Sequence, residues 1–238
     1  MIDMHSHIIP SIDDGSKSVQ ETFDMIKEAK KIGFTDIIMT PHFLLDYYEP
    51  TPQEIIFWKN KLQEVLENQD INLNLHSGME VYIFNKLEEF IKQNKILTLG
   101  KSRYLLIELP LSTTVNYLDH ILFALQSIGI KPIIAHPERY KCVQDEPNLV
   151  QDYIDKGALI QCNYGSILEL YGKNAKKTVK ILLKRNQVDF LGSDCHKTKT
   201  VYPIIPQAIK KIKKIIGDEE FYKISTENPK KVLDNQEW

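Results

Sequence analysis

What most constrains this chain is an alternation that runs almost from end to end. Short apolar runs of strand character are separated by segments with apolar residues at i, i+3 and i+4. The runs are residues 1–5 (MIDMH), 35–40 (TDIIMT), 71–78 (INLNLHSG), 103–109 (RYLLIEL), 131–136 (KPIIAH), 158–163 (ALIQCN) and 188–193 (VDFLGS). Between them VQETFDMIKEAKKIG, TPQEIIFWKNKLQEVLENQ, VNYLDHILFALQSIG, PNLVQDYIDKG and AKKTVKILLKRN carry the helical period. Gly33, Gly129 and Gly157 each follow a helical segment and precede a strand, where a left-handed residue closes a helix. Mostly apolar strands joined through helices argue a parallel sheet covered by helices. Seven such units leave an open doubly wound sheet or a closed barrel. No GxGxxG or GxxxxGK[ST] follows the first strand, so the phosphate-cradling loops of open nucleotide-binding sheets are missing. A distorted, TIM-like (β/α)7 barrel is therefore expected, as one α/β domain over residues 1–238, with GDEEFYKISTENPKKVLDNQEW as terminal helices.

In a parallel barrel the chemistry gathers at the C-terminal ends of the strands, because the loops there converge on one mouth. The expected strand ends carry His5 and His7, His42, Glu80, Glu108, His136, then Asp194 and His196; the sixth ends in the neutral Asn163. Asp13 and Asp14 lie in the first loop on the same rim. A single histidine at a strand end is ordinarily a capping or core group, and a lone aspartate after a strand is ordinarily an N-cap. Five of the seven histidines on one rim do not fit that account, whereas His76, within a strand, and His120, within a helix, do. With an aspartate of the first loop, Glu80, Glu108 and Asp194, they make nine nitrogen and oxygen ligands, too many for one ion. Two or three metals would fit, and the mixed set favours Mn²⁺, Fe or Zn²⁺ over Ca²⁺. Paired ions activate water for hydrolysis and neutralise charge on a phosphoryl group. Arg139, three residues after His136, offers a bidentate fork to phosphate, against the plainer reading of a rim salt bridge with Glu138 or another acid.

Other chemistries are excluded. Lys and Arg total 30 against 32 Asp and Glu, so nothing calls for nucleic acid or an anionic membrane. Arg103, Arg139 and Arg185 are the only arginines. Cys142, Cys162 and Cys195 form no CxxC and none is followed by an arginine six positions on, which removes a thiolate phosphatase; no GxSxG elbow is present. Cys195, between Asp194 and His196, would point away from both in an extended stretch and is read as packing. No secretory leader or membrane-length apolar run appears, so a soluble cytoplasmic protein without membrane insertion is expected.

The motifs MIDMHSHIIPSIDDG, TPH, GME, IEL, AHPERY and SDCH resemble, in order and spacing and over essentially the whole chain, the polymerase and histidinol phosphatase (PHP) superfamily. Within it they are similar to the capsule-type, metal-dependent bacterial tyrosine phosphatases. The resemblance implies a distorted (β/α)7 barrel with three metals; two or three divalent ions are expected, Mn²⁺ foremost and Fe or Zn²⁺ as alternatives. His5, His7, Glu80 and Asp194 would hold the first, Glu80, Glu108 and His136 the second, and Asp14, His42 and His196 the third. It also implies phosphate binding by Arg139, assistance from His196 or Asp14, and as partner the phosphotyrosine tail of a bacterial tyrosine kinase that controls capsular or exopolysaccharide assembly. Spacing alone does not choose between Asp13 and Asp14; the resemblance selects Asp14. Some members carry a second arginine after SDxH, where this chain has Lys197 and Lys199. Tyr47 and Tyr48 could flank a phenyl ring or pack the next helix. The alternatives are another phosphoesterase such as a histidinol-phosphate phosphatase, or a metal-bound, non-catalytic module that binds a kinase.

Overall fold

A computed structural model describes residues 1–238. Its strands are β1 (Ile2–Ser6), β2 (Asp36–Met39), β3 (His42–Phe43), β4 (Asn74–Ser77), β5 (Glu80–Tyr82), β6 (Tyr104–Glu108), β7 (Lys131–Ala135), β8 (Leu159–Asn163) and β9 (Phe190–Gly192). The helices are α1 (Val19–Ile32), α2 (Pro52–Asn68), α3 (Leu87–Lys92), α4 (Leu118–Ser127), α5 (Lys141–Asp145), α6 (Leu149–Asp155), α7 (Gly172–Lys184), α8 (Ile205–Tyr222) and α9 (Asn228–Leu233). Their ends carry local signals: Ser18 caps α1, Thr51 and Glu54 form a capping box at α2, and Gly33, Gly129 and Gly157 are left-handed.

All ladders are parallel, in the orders β1-β2-β4 and β3-β5-β6-β7-β8-β9. The second and third expected strands are each broken in two, at Thr40–Pro41 and at Gly78–Met79. Their second halves leave the first sheet and pair in the other, His42 opposite Glu80. Counting each broken strand once restores seven positions in chain order. The last returns to the first: Asp194 N–H donates to His5 O at 2.8 Å and His7 N–H to Cys195 O at 3.0 Å. The result is a curled, partly closed parallel sheet flanked by helices, consistent with a distorted barrel. Met4, Ile38, Leu106, Ile133, Ala135, Leu159 and Phe190 form one buried cluster inside the curl; a larger cluster lies between strands and helices.

His76 bonds Asp36 at 2.9 Å and His120 is exposed, both apart from the mouth. The three cysteines are free, and Cys162 and Cys195 are buried. No helix is long and apolar enough to cross a membrane.

Candidate metal centre

A regular strand would send Met4 and His5 to opposite faces. In β1 Asp3 pairs with Ile37 and Ser6 with Met39, three steps against two, so β1 carries an extra residue. Such a bulge re-aims side chains. Met4 joins the inner core while His5 still reaches Gln161 and Glu80 across the mouth. Gly192 makes room, since a Cβ there would lie 2.6 Å from His5 Cβ.

The two histidines then converge. His5 Nε2 and His7 Nε2 are 2.9 Å apart, and Glu80 Oε2 lies 3.1 and 3.3 Å from them. Asp194 Oδ1 is 3.6 Å from both nitrogens. Glu80 Oε2 also meets His42 Nδ1 at 3.0 Å, while Glu80 Oε1 meets His136 Nε2 at 2.9 Å. Glu108 approaches His42 and His136 at 3.9 and 3.8 Å. Asp14 Oδ1 is 3.5 Å from His42 Nε2 and 3.4 Å from His196 Nε2. All nine ligand candidates, gathered from six strand ends and the first loop, thus meet at one mouth. His136 and Asp194 take left-handed backbone (φ 34° and 53°), strain of the kind found at functional sites.

The polar atoms fit a bound cation. His7 Nδ1–H donates to Asp13 Oδ2 at 2.8 Å and His5 Nδ1–H to Gln161 Oε1 at 2.9 Å, so both Nε2 atoms present lone pairs to each other. Two facing lone pairs repel unless a cation shares them, and 2.9 Å suits two nitrogens each about 2.1 Å from one ion. Glu80 Oε2 is buried and, despite three imidazole nitrogens within 3.3 Å, makes no hydrogen bond. A buried carboxylate oxygen without a donor is costly; one aimed at a metal is not. The clusters His7–Asp14–His42–His196, His5–His7–Glu80 and His42–Glu80–Glu108 each bring their donors within 4.8 Å, consistent with divalent-metal sites.

The charges are strongly coupled. With no cation among these groups a proton takes its place: burial opposes protonation of His5 and His42, yet the carboxylates of Glu80 and Asp194 lift His5 to about 9 and those of Glu80 and Glu108 lift His42 to about 10, so a bound ion would displace protons from both. Burial and the charge of Glu80 raise Glu108 to about 7. Burial and the positive charges of His196 and His42 lower His7.

Several residues take supporting roles that a reading of strand ends does not assign. Asp13 also accepts the backbone N–H of His42 and of Gly15, both at 2.9 Å. Gln161 donates to Asn163, whose Nδ2 donates to Asp194 Oδ2 at 2.7 Å. Arg139 pairs with Asp194 Oδ2 at 2.6 Å, not with Glu138, which instead anchors Asn163 N–H and Ser166 Oγ. Beside the mouth a groove of about 590 Å³ is lined by Asp14, Lys17, Arg139, Tyr171, His196 and Lys197 among others. Lys199 is not among its lining residues; its backbone N–H is tied to Glu28. Tyr48 stacks near His42, centroids 6.3 Å apart, and Tyr47 packs edge-on against Tyr48 while remaining exposed.

A curled parallel sheet whose mouth gathers imidazoles, carboxylates and one guanidinium defines a metal-dependent hydrolase. Residues 1–234 match the family model for capsular polysaccharide synthesis, CpsB/CapC. The chain is 33% identical over 236 residues to the tyrosine-protein phosphatase YwqE of Bacillus subtilis, covering 99% of this chain and 92% of that protein. It is 32% identical over 243 residues to the tyrosine-protein phosphatase CpsB of Streptococcus pneumoniae, covering 99% of each. A solved chain from work on crystal structures of YwqE and CpsB, described as unique metal-dependent tyrosine phosphatases, matches with a TM-score of 0.94 at 32% identity, over 100% of this chain and 96% of that one. The histidinol phosphate phosphatase of Lactococcus lactis, crystallised with zinc, L-histidinol and phosphate, shares the fold (TM-score 0.60, 16% identity, 90% and 93% coverage). The chain belongs to the CpsB/CapC family, as the PHP-type motifs led one to expect.

Proposed function

We propose that this hydrolase is a tyrosine phosphatase that removes phosphate from the tail of a bacterial tyrosine kinase governing capsular or exopolysaccharide assembly. The observation that carries the reading is the unsatisfied, buried Glu80 Oε2 at the meeting point of three imidazoles, with Arg139 paired to Asp194 at the same mouth. We assign His5, His7, Glu80 and Asp194 to one divalent ion, Glu80, Glu108 and His136 to a second, and Asp14, His42 and His196 to a third, with Mn²⁺ foremost and Fe or Zn²⁺ as alternatives. Such ions, when bound, lower the pKa of a coordinated water and offset charge on the phosphoryl oxygens.

The chain's own residues do the rest. Asp13 and Gln161 hold the His7 and His5 tautomers with Nε2 free. Arg139 spends Nη1 on Asp194 and keeps its other donors for phosphate oxygens. Lys197, exposed on the groove, adds positive charge without a bidentate fork. Water attacks phosphorus, the phosphorus–oxygen bond to the ring breaks, and tyrosine and inorganic phosphate leave. Phenol, with a pKa of about 10, departs with little acid help and takes its proton from the attacking water; Asp14, whose carboxyl the bond with His196 holds well below the usual carboxylate range, and His196 would assist by holding an ion at the groove.

The test compares turnover of a phosphotyrosine peptide with that of histidinol phosphate. Phosphotyrosine should be preferred, and chelation, His136→Ala and Arg139→Ala should each abolish or severely reduce its turnover. Unchanged turnover in either variant, or a preference for histidinol phosphate, overturns the assignment.

A further inference from the structure

Arg139 leaves the short turn Pro137–Arg139 and reaches Asp194 through one nitrogen, Nη1 to Oδ2 at 2.6 Å. A contact through one atom fixes a point but not a plane: the guanidinium can still rotate about it, and its remaining donors sweep an arc. What removes that freedom is Tyr171. The guanidinium carbon stands 4.5 Å from the centroid of the Tyr171 ring, and the Tyr171 hydroxyl lies 3.4 Å from the same Asp194 oxygen. Asn163 Nδ2 holds that oxygen from a third direction at 2.7 Å. The ring is itself held, because Gly165 lets the chain before α7 close down: a Cβ at 165 would lie 3.3 Å from Tyr171 Cε2 and 2.7 Å from Leu170 Cδ2. Nη1 is the one Arg139 side-chain donor with a protein acceptor, so the others are unspent beside the groove.

We propose that Tyr171 is a positioning residue that sets the plane of the Arg139 guanidinium, so that its unspent donors meet phosphate as a ready-made fork. Without the ring, Arg139 keeps its charge and its contact with Asp194 but must lose rotational freedom each time phosphate binds. The inference rests on the phosphatase reading through the role of Arg139, and its test reads binding separately from turnover.

Inorganic phosphate is titrated calorimetrically into the metal-loaded protein, with metal content and thermal melting recorded for each variant. Tyr171→Phe keeps the ring and should bind phosphate within about two-fold of the parent. Tyr171→Leu and Tyr171→Met keep apolar bulk without the ring, and either suffices if the other does not fold. Each should weaken phosphate binding about 2- to 30-fold, the span of a cation–π contact between exposed and desolvated settings, with KM for an aryl phosphate rising in step. In an Arg139→Ala background, removing the ring should cost nothing further. Phosphate binding unchanged in the ringless variants, or a full additional loss in the Arg139→Ala background, overturns the proposal. Arg139→Ala without effect on phosphate binding overturns it together with the assigned role of Arg139. Coupled losses in phosphate affinity from a protein that nevertheless fails to turn over phosphotyrosine would support Tyr171 while refuting the proposed function.

Discussion

Asp13→Asn is the sharpest test of how the first loop works. The Asp13 carboxylate accepts three hydrogen bonds: His7 Nδ1–H at 2.8 Å and His42 N–H at 2.9 Å on Oδ2, and Gly15 N–H at 2.9 Å on Oδ1. An amide has one acceptor oxygen, so one side must now face an NH2. If the oxygen stays with His7 and His42, Gly15 N–H loses its partner and the other two bonds fall from charged to neutral strength. Taking about 1.5–3 kcal/mol for a bond to a charged group and about 0.5–1.5 for a neutral one, the loss is roughly 5 kcal/mol, shared between stability and metal affinity. If the amide turns over, His7 Nδ1 must accept, and its proton moves to Nε2, the nitrogen aimed at His5 and Glu80. Either way metal affinity should fall about 10- to 100-fold. Chelator-competition titration measures the affinity, and kcat/KM on an aryl phosphate follows it. Asp14→Asn should behave differently. Asp14 faces His42 and His196 and does not touch His7 Nδ1, so its loss should lower the number of ions bound and leave the remaining affinity largely intact. Affinity and turnover of Asp13→Asn within two-fold of the parent would refute the orienting role.

Two further changes probe the frame. Gly192→Ala places a methyl 2.6 Å from His5 Cβ and 2.8 Å from Gln161 Nε2, so it should cost about 1–3 kcal/mol and reduce metal occupancy; parent-like melting and metal content would contradict the close approach. Asp189→Asn should stabilise the protein, with a definite pH signature. Burial holds Asp189 at about 6, above its value of about 3.9 in an unfolded chain. A raised folded value means that its contribution is fully present below about pH 4 and lost as pH rises through 6. The gain in the amide variant should therefore be roughly 1–3 kcal/mol at pH 8 and vanish below pH 4, the carboxylate's bond from Ile160 N–H trimming it. Urea melts that show no pH dependence of the difference count against it.

Much of the site was legible because its parts are scarce and its scaffold is directional. Histidine is rare in this chain, and a parallel sheet sends every strand's C-terminal end to the same rim, so His5, His42, His136 and His196 could be gathered before any contact was known. What periodicity could not show are the places where backbone departs from it. Alternation within MIDMHSH puts Met4 and His5 on opposite faces, and only the extra residue in β1 brings both inward. Apolar runs also give no sign that Thr40–Pro41 and Gly78–Met79 shift each strand from one sheet to the other, the step that sets His42 opposite Glu80. Tyr171 carries no signal at all, since its meaning lies in the face it offers to an arginine from another loop.

The two aspartates are the instructive case, because neighbours of identical chemistry differ only in direction. That direction is set by the residue after them. A Cβ at position 15 would stand 2.2 Å from His7 O and 2.6 Å from His7 Cβ, so only glycine lets the loop fold flat against the histidine. Ser16 N–H then bonds His7 O at 3.0 Å. With the turn pressed down there, Asp13 is carried beneath the ring, buried against Nδ1, and Asp14 is left half-exposed on the groove side facing His42 and His196. The signal in SIDDG is therefore the glycine. It sets residue 13 as the inward carboxylate that orients His7 and residue 14 as the one facing His42 and His196, and Gly15→Ala should disturb both placements at once.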